Sequence, residues 1–329
     1  MEGRLRAACE GLSPEARPAL IAQVKAALQQ GQDLLARAHR EGAGGLALVW
    51  GRTRFMDSVL GALWGFAERS RGEASARAPC AMVAVGGYGR GELSPASDVD
   101  LLFVFPRRTA ALEAWVTRVL YLLWDAGLDI GYSARTYAEC IKMARADFQS
   151  ETSMLEHRLV AGDAEAYREF EQRFAEHLRA SGRRSYLNRR LRERNERYQL
   201  WDPSVYVQEP NVKESAGGLR DFHLMLWAGR ALFGSGELAD LVREGLLSQE
   251  DAEEAQAAYD FLLRVRNELH LRARAKREVL TFDAQAEVAP ALGYCNEESA
   301  TAGERLMRQY FLRARTLSQT SRVFLDACE

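Results

Sequence analysis

The chain has 329 residues, 47% of them hydrophobic and 27% charged, with a formal net charge of −2. That suits a soluble protein of two or more domains and excludes the broad basic field of a nucleic-acid binder, so nucleic acid is not an expected partner. The five cysteines (Cys9, Cys80, Cys140, Cys295, Cys328) are scattered and form no CxxC pair, and there is no apolar leader and no run of about 18 apolar residues. Zinc sites, disulfide frameworks and membrane contact are therefore not expected, and a cytoplasmic location is.

In chain order, residues 14–41 carry Leu, Ile and Val at helical spacing, with Ser13 placed as an N-cap ahead of Pro14. A second helix is expected from about Leu46 to Glu68, with Phe55, Val59, Leu60, Leu63 and Phe66 as its buried face, before a linker at 70–79. Met82 to Phe105 (MVAVGGYGRGELSPASDVDLLFVF) reads as a strand, a Gly86-Gly87 turn, a connection, and a strand opening on Asp98-Val99-Asp100. Residues 110–126 form an amphipathic helix, 128–136 a strand and 137–145 a helix. From 147 onward the pattern is helical: 151–160, 163–181, 183–199, 219–233, 249–275 and 301–327. Seven arginines in 183–197 read first as a solvated helix with i,i+4 pairs such as Arg189–Glu193 and Arg192–Glu196, and second as a partner-docking face.

Two stretches carry chemistry. Strand side chains alternate, so Asp98 and Asp100 share one side while Val99 points into a core. Aspartate is depleted from strands, and two carboxylates crowded beside LLFVF call for a positive charge between them. A divalent ion such as Mg²⁺, which shares its coordination with substrate phosphates, supplies it. Gly86 and Gly87 let backbone N–H groups approach anionic oxygens. The second stretch is EPNVKESAGGLRDFH (209–223), where Gly217-Gly218 leads into a helix carrying Arg220 and Asp221, with Lys213 upstream.

Gly86-Gly87, ten residues, then Asp98-Val99-Asp100 resembles the signature of the DNA polymerase β-like nucleotidyltransferase superfamily. The order GGYGRGEL…SDVDLL, LDIGYSART, EPNVKESAGGLRD and LHLRARAKREVLTFD is similar to the bacterial PII uridylyltransferase family, over most of the chain. The resemblance implies an α+β fold: N-terminal helices (1–75), a small polymerase β-like α/β nucleotidyltransferase core (76–146) and a large C-terminal all-helical domain (147–329). It implies UTP-dependent transfer of UMP to a tyrosine of the nitrogen-regulatory protein PII, with Mg²⁺ (two ions, or Mn²⁺ in its place) held by Asp98 and Asp100. The residues it assigns to the nucleotide are Gly86, Gly87, Arg90, Ser97, Lys213, Gly217, Gly218, Arg220 and Asp221. A third carboxylate is common on a later strand of such enzymes. Aligned by Arg135, that position falls at Gly131 or a neighbour and holds no acid; Asp129, two residues earlier, is either the displaced third carboxylate or a surface acid. The family's UMP-removing HD domain is not expected here, because none of the five histidines precedes an aspartate. Two alternatives remain: transfer to another protein, RNA or small-molecule acceptor, and a non-catalytic nucleotide sensor.

Overall fold

The computed structural model describes residues 16–69 and 79–328. Contacts divide the chain into two compact units: one holds residues up to Leu35, 49–93 and 97–177, the other 36–48, 94–96 and 178–329. No helix among the described residues is long and apolar enough to cross a membrane.

The first unit is built on a four-stranded sheet of β1 (Ala81–Ala84), β2 (Val99–Phe105), β3 (Ile130–Thr136) and β4 (Arg158–Gly162), in the order β3-β2-β1-β4. β1 runs antiparallel to β2 and β4, while β2 and β3 are parallel. A parallel pair needs a crossover, and the helix Ala110–Asp125 provides it, started by Thr109, whose side chain accepts from Leu112 N–H. In β2 every residue is buried except Asp100. Val99, Leu101, Phe103 and Phe105 join Met82 and Ala84 in one core, packed by helices α1 (Arg17–Arg40), α2 (Gly45–Arg69) and the crossover, which is α4 after the single turn α3 (Gly86–Gly89). Trp64 meets Trp115 edge-on at 4.4 Å and stacks on Phe103 at 6.4 Å. Each such buried side chain contributes about 1.5–3 kcal/mol. Val59, Leu60, Leu63 and Phe66 are buried as expected, and Phe55 packs partly buried against the same core.

Beyond β3, helix α5 (Tyr137–Ala146) opens on a capping box between Thr136 and Glu139, and α6 (Phe148–Leu155) on Asp147, whose carboxylate accepts from Ser150 N–H at 2.8 Å. Residues 151–160, expected to be one helix, instead end α6 at Leu155 and return as edge strand β4 along β1. Glu156 leaves helical geometry (φ −101°, ψ 48°), and the five-residue RLVAG is too short for its alternation to show against the helices on either side. Helix α7 (Ala164–Ser181) follows.

The second unit contains α8 (Arg183–Trp201), α9 (Leu219–Phe233), α10 (Leu238–Arg243), α11 (Gln249–Ala273), α12 (Phe282–Ala291) and α13 (Ala302–Cys328). Phe222 stacks on Tyr259 at 3.9 Å, and His223 Nε2 shares a 2.8 Å hydrogen bond with the Tyr259 hydroxyl. The arginines of α8 differ from the solvated reading. Arg190 is buried over Trp227 (4.8 Å) while pairing with Glu193, and Arg197 reaches the buried Asp221. A guanidinium is weakly hydrated and stacks on aromatic faces, so this arginine-rich helix is partly core.

Candidate active site

The Gly-Gly element and the Asp-x-Asp element meet because β1 and β2 are neighbours. The Val85 N–H donates to Asp100 O at 3.2 Å, and β1 ends where the single turn α3 begins. The first N–H groups of a helical turn have no intrahelical acceptor, which leaves those at Gly86 and Gly87 for other partners. α3 is fixed from behind. The Tyr88 hydroxyl donates to Asp57 (2.7 Å), Arg158 pairs with the same carboxylate (2.8 Å), and burial pushes the Tyr88 phenol well above its ordinary value. Arg90, expected at the nucleotide, is held between Glu92 and Glu156, and all three side chains are largely buried. It sits beside the Gly-Gly turn, with its guanidinium 3.8 Å from where a Cβ on Gly87 would lie.

Asp98 and Asp100 are exposed on either side of the buried Val99. The Asp100 carboxylate lies between two positions that lack a Cβ. A Cβ on Gly86, which has φ +60°, would come within 3.9 Å of Oδ2; one on Gly131 would come well under 3.0 Å of Oδ1. Gly131 is the β3 residue registered opposite Asp100. An acid at Gly131 would therefore collide with Asp100 as it stands. Asp129 is exposed, one residue before β3; extending the register sets it opposite Asp98, on the same face. Among the described residues no group of three or more His, Cys, Asp or Glu side chains forms a metal cluster. The donors present nonetheless suit magnesium, which takes hard oxygen ligands and needs only one or two carboxylates when substrate phosphates complete its shell. We expect Gly131→Ala to displace the Asp100 carboxylate and lower turnover by about tenfold or more, with a thermal midpoint within a few degrees of wild type. Kinetics paired with a melting curve check this, and unchanged turnover would contradict it.

A cleft of about 280 Å³ adjoins Asp100 on the β3 side, walled by Gly131, Ser133 and Arg135 of β3 and by Ser150 and Ser153 of α6. The serines carried no signal in the sequence. Their i,i+3 spacing on α6 is legible only once that helix is known to cover this face of the sheet.

The second stretch lies in the helical unit. Asn211 Oδ1 accepts from the N–H groups of Lys213 (3.0 Å) and Glu214 (2.9 Å), which shapes the NVKES loop. Asp221 is fully buried and accepts from Arg197 (2.6 Å), the Tyr198 hydroxyl (2.6 Å) and Gly217 N–H (2.7 Å). A Cβ on Gly217 would collide with Ala314 O, and one on Gly218 would approach the carbonyls of Val212, Lys213 and Ser215. Gly217, Gly218 and Asp221 thus form the internal brace of a turn. Lys213 and Arg220 stay partly exposed with Glu214 between them, at 3.6 and 3.4 Å. Burial, and then the charge of Arg220, lower the Lys213 ammonium to about 8. In the same unit, α11 holds residues 94–96 of the loop preceding Asp98: Arg266 donates to Ser94 Oγ (3.0 Å), and Ala96 N–H donates to His270 Nδ1 (3.3 Å).

Residues 70–158 match the nucleotidyltransferase domain family, and residues 185–325 match the GlnD PII-uridylyltransferase family. The chain is 38% identical over 325 residues to a bifunctional uridylyltransferase/uridylyl-removing enzyme of Rhodospirillum rubrum, which covers 96% of this chain and 34% of that enzyme. A protein of the same description from Novosphingobium aromaticivorans is 38% identical over 319 residues (94% and 34%), and one from Ruegeria pomeroyi 40% over 250 (76% and 27%). The chain spans about a third of the length of the curated relatives it matches.

Proposed function

Since the chain belongs to the GlnD PII-uridylyltransferase family, with a nucleotidyltransferase domain ahead of the helical region, we propose that it transfers UMP from UTP to a tyrosine hydroxyl of a PII-type signalling protein in the cytoplasm. The observation that carries this reading is the exposed Asp98–Asp100 pair, with Asp100 flanked by Gly86 and Gly131, in a chain that matches both families. The acceptor oxygen forms a bond to the α-phosphorus and the bond to the β-phosphate oxygen breaks. Pyrophosphate leaves with that electron pair, and the phenolic proton, ordinarily held up to about pH 10, is released.

Asp98 and Asp100 would hold Mg²⁺, or Mn²⁺ in its place, as one or two ions whose Lewis acidity offsets charge on the attacking and leaving oxygens. Gly86, Gly87 and Ser97 are assigned to the triphosphate, and Lys213 and Arg220 are assigned as cationic contacts for phosphate. Arg90, Gly217, Gly218 and Asp221 support those residues from behind. Asp129 is assigned to assist the acceptor face, opposite Asp98 in the extended register. We assign only the forward transfer to these 329 residues.

Incubating the chain with a PII-type protein, Mg²⁺ and labelled UTP should label the protein on tyrosine, with the other three nucleotides competing poorly. A folded chain that transfers nothing from any of the four nucleotides would sink the proposal. Transfer to RNA or a small molecule in preference to PII would replace the acceptor but keep the reaction.

A further inference from the structure

Resting on that transfer reading, we propose that the acceptor enters the site over β3, and that Arg135 recognises an acidic side chain about four residues from the acceptor tyrosine. In-line displacement sets the attacking and leaving oxygens on opposite sides of phosphorus. The sheet order fixes which side is which. β1, leading into Gly86-Gly87, lies on one side of β2, and β3 lies on the other. With the leaving pyrophosphate at the Gly-Gly turn and the reacting phosphorus at Asp100, the attacking oxygen arrives across β3. The β3 residue next to Asp100 is Gly131, so no side chain obstructs the approach.

Along β3, Gly131, Ser133 and Arg135 share the face of Asp100, being registered with Asp100, Leu102 and Val104. They line the cleft with Ser150 and Ser153 facing them from α6. Arg135 is the cation of this cleft, half-buried, and its guanidinium forms no hydrogen bond or ion pair among the described residues. Its charge is felt by Asp147, but that carboxylate is occupied as the N-cap of α6. An unpaired guanidinium beside three serine hydroxyls suits a carboxylate, which it can bind with two parallel hydrogen bonds.

Spacing sets the kind of acceptor. Arg135 is four residues from Gly131, roughly 13 Å along the strand at about 3.3 Å per residue. An extended peptide advances at most about 3.3–3.6 Å per residue, so an acid about four residues from the tyrosine matches that span. The acceptor chemistry is an extended segment with a tyrosine and a nearby Asp or Glu.

Steady-state kinetics of Arg135→Gln with an intact PII-type acceptor tests this. The KM for acceptor should rise about 10- to 100-fold, the scale of one charge-assisted hydrogen bond, while the KM for UTP stays within about twofold. Arg135→Lys should recover part of the loss, and Arg135→Glu should be rescued by an acceptor whose acid at that spacing is changed to Lys. A raised UTP KM with an unchanged acceptor KM, or no change in either, overturns the proposal while leaving the transfer reading intact. Should the wild type transfer nothing, the transfer reading fails first. Acceptor binding to wild type and Arg135→Gln, measured with a non-hydrolysable UTP analogue, then decides this one, and equal affinities refute it.

Discussion

The double substitution Asp98→Asn, Asp100→Asn is expected to abolish nucleotidyl transfer, lowering turnover by about a thousandfold or more while leaving the fold intact. Metal-supplied charge stabilisation is worth several kcal/mol in the transition state, and about 4 kcal/mol corresponds to roughly a thousandfold. Asparagine keeps the shape of each side chain but removes the anionic oxygens that a hard cation requires. Stability should barely move, because both aspartates are exposed and neither fills the core that buries Val99, Leu101 and Phe103. Exposed substitutions away from special features usually stay within about 0.5 kcal/mol. Removing two like charges from one strand face should relax, not strain, the site. Turnover measured beside a denaturant titration separates the two effects. A variant with near-wild-type turnover would remove these carboxylates from the chemistry.

The largest stability effect is expected at Asp221. Asp221→Ala should destabilise the helical unit by about 3–5 kcal/mol, because it leaves the buried Arg197 guanidinium without its anion. The same carboxylate takes the Tyr198 hydroxyl and the Gly217 N–H, so those two donors are orphaned as well. Its charge, added to burial, holds the Tyr198 phenol well above its ordinary range. Total stabilities run about 5–15 kcal/mol, so a large share of the margin is at stake. Asp221→Asn, which keeps one acceptor oxygen but loses the charge and replaces the other oxygen with a donor NH2, should fall between Ala and wild type. Urea unfolding followed by helical signal measures it. A loss below about 1 kcal/mol, with turnover destroyed, would instead place Asp221 at the nucleotide.

Much of this arrangement was legible in the sequence, and the reasons are local. Val99 had to turn inward if Asp98 and Asp100 turned outward, and alternation alone gives that. Long helices such as Leu219–Phe233 carry their own start and stop, with Gly234 in the left-handed conformation at the C-cap. What local pattern could not give was partnership across the chain. Arg90 could be read as a phosphate candidate, but its pairing with Glu156, 66 residues later, could not be read. Asp221 looks like a helix-start acid until Arg197 and Tyr198 converge on it. β4 hides in a helical stretch because a five-residue edge strand takes its identity from β1. The absent acid at Gly131 could be read as a gap, but only the register with Asp100 shows that the position is crowded as well as empty.

The central claim, that this site moves a nucleotidyl group, is tested most directly by the position of the label. UTP labelled at the α-phosphate and UTP labelled at the γ-phosphate are each incubated with the chain, Mg²⁺ and a PII-type protein. The α-label should appear on an acceptor tyrosine and the γ-label in released pyrophosphate. A γ-label on the acceptor, or an acceptor that carries neither, would contradict the account.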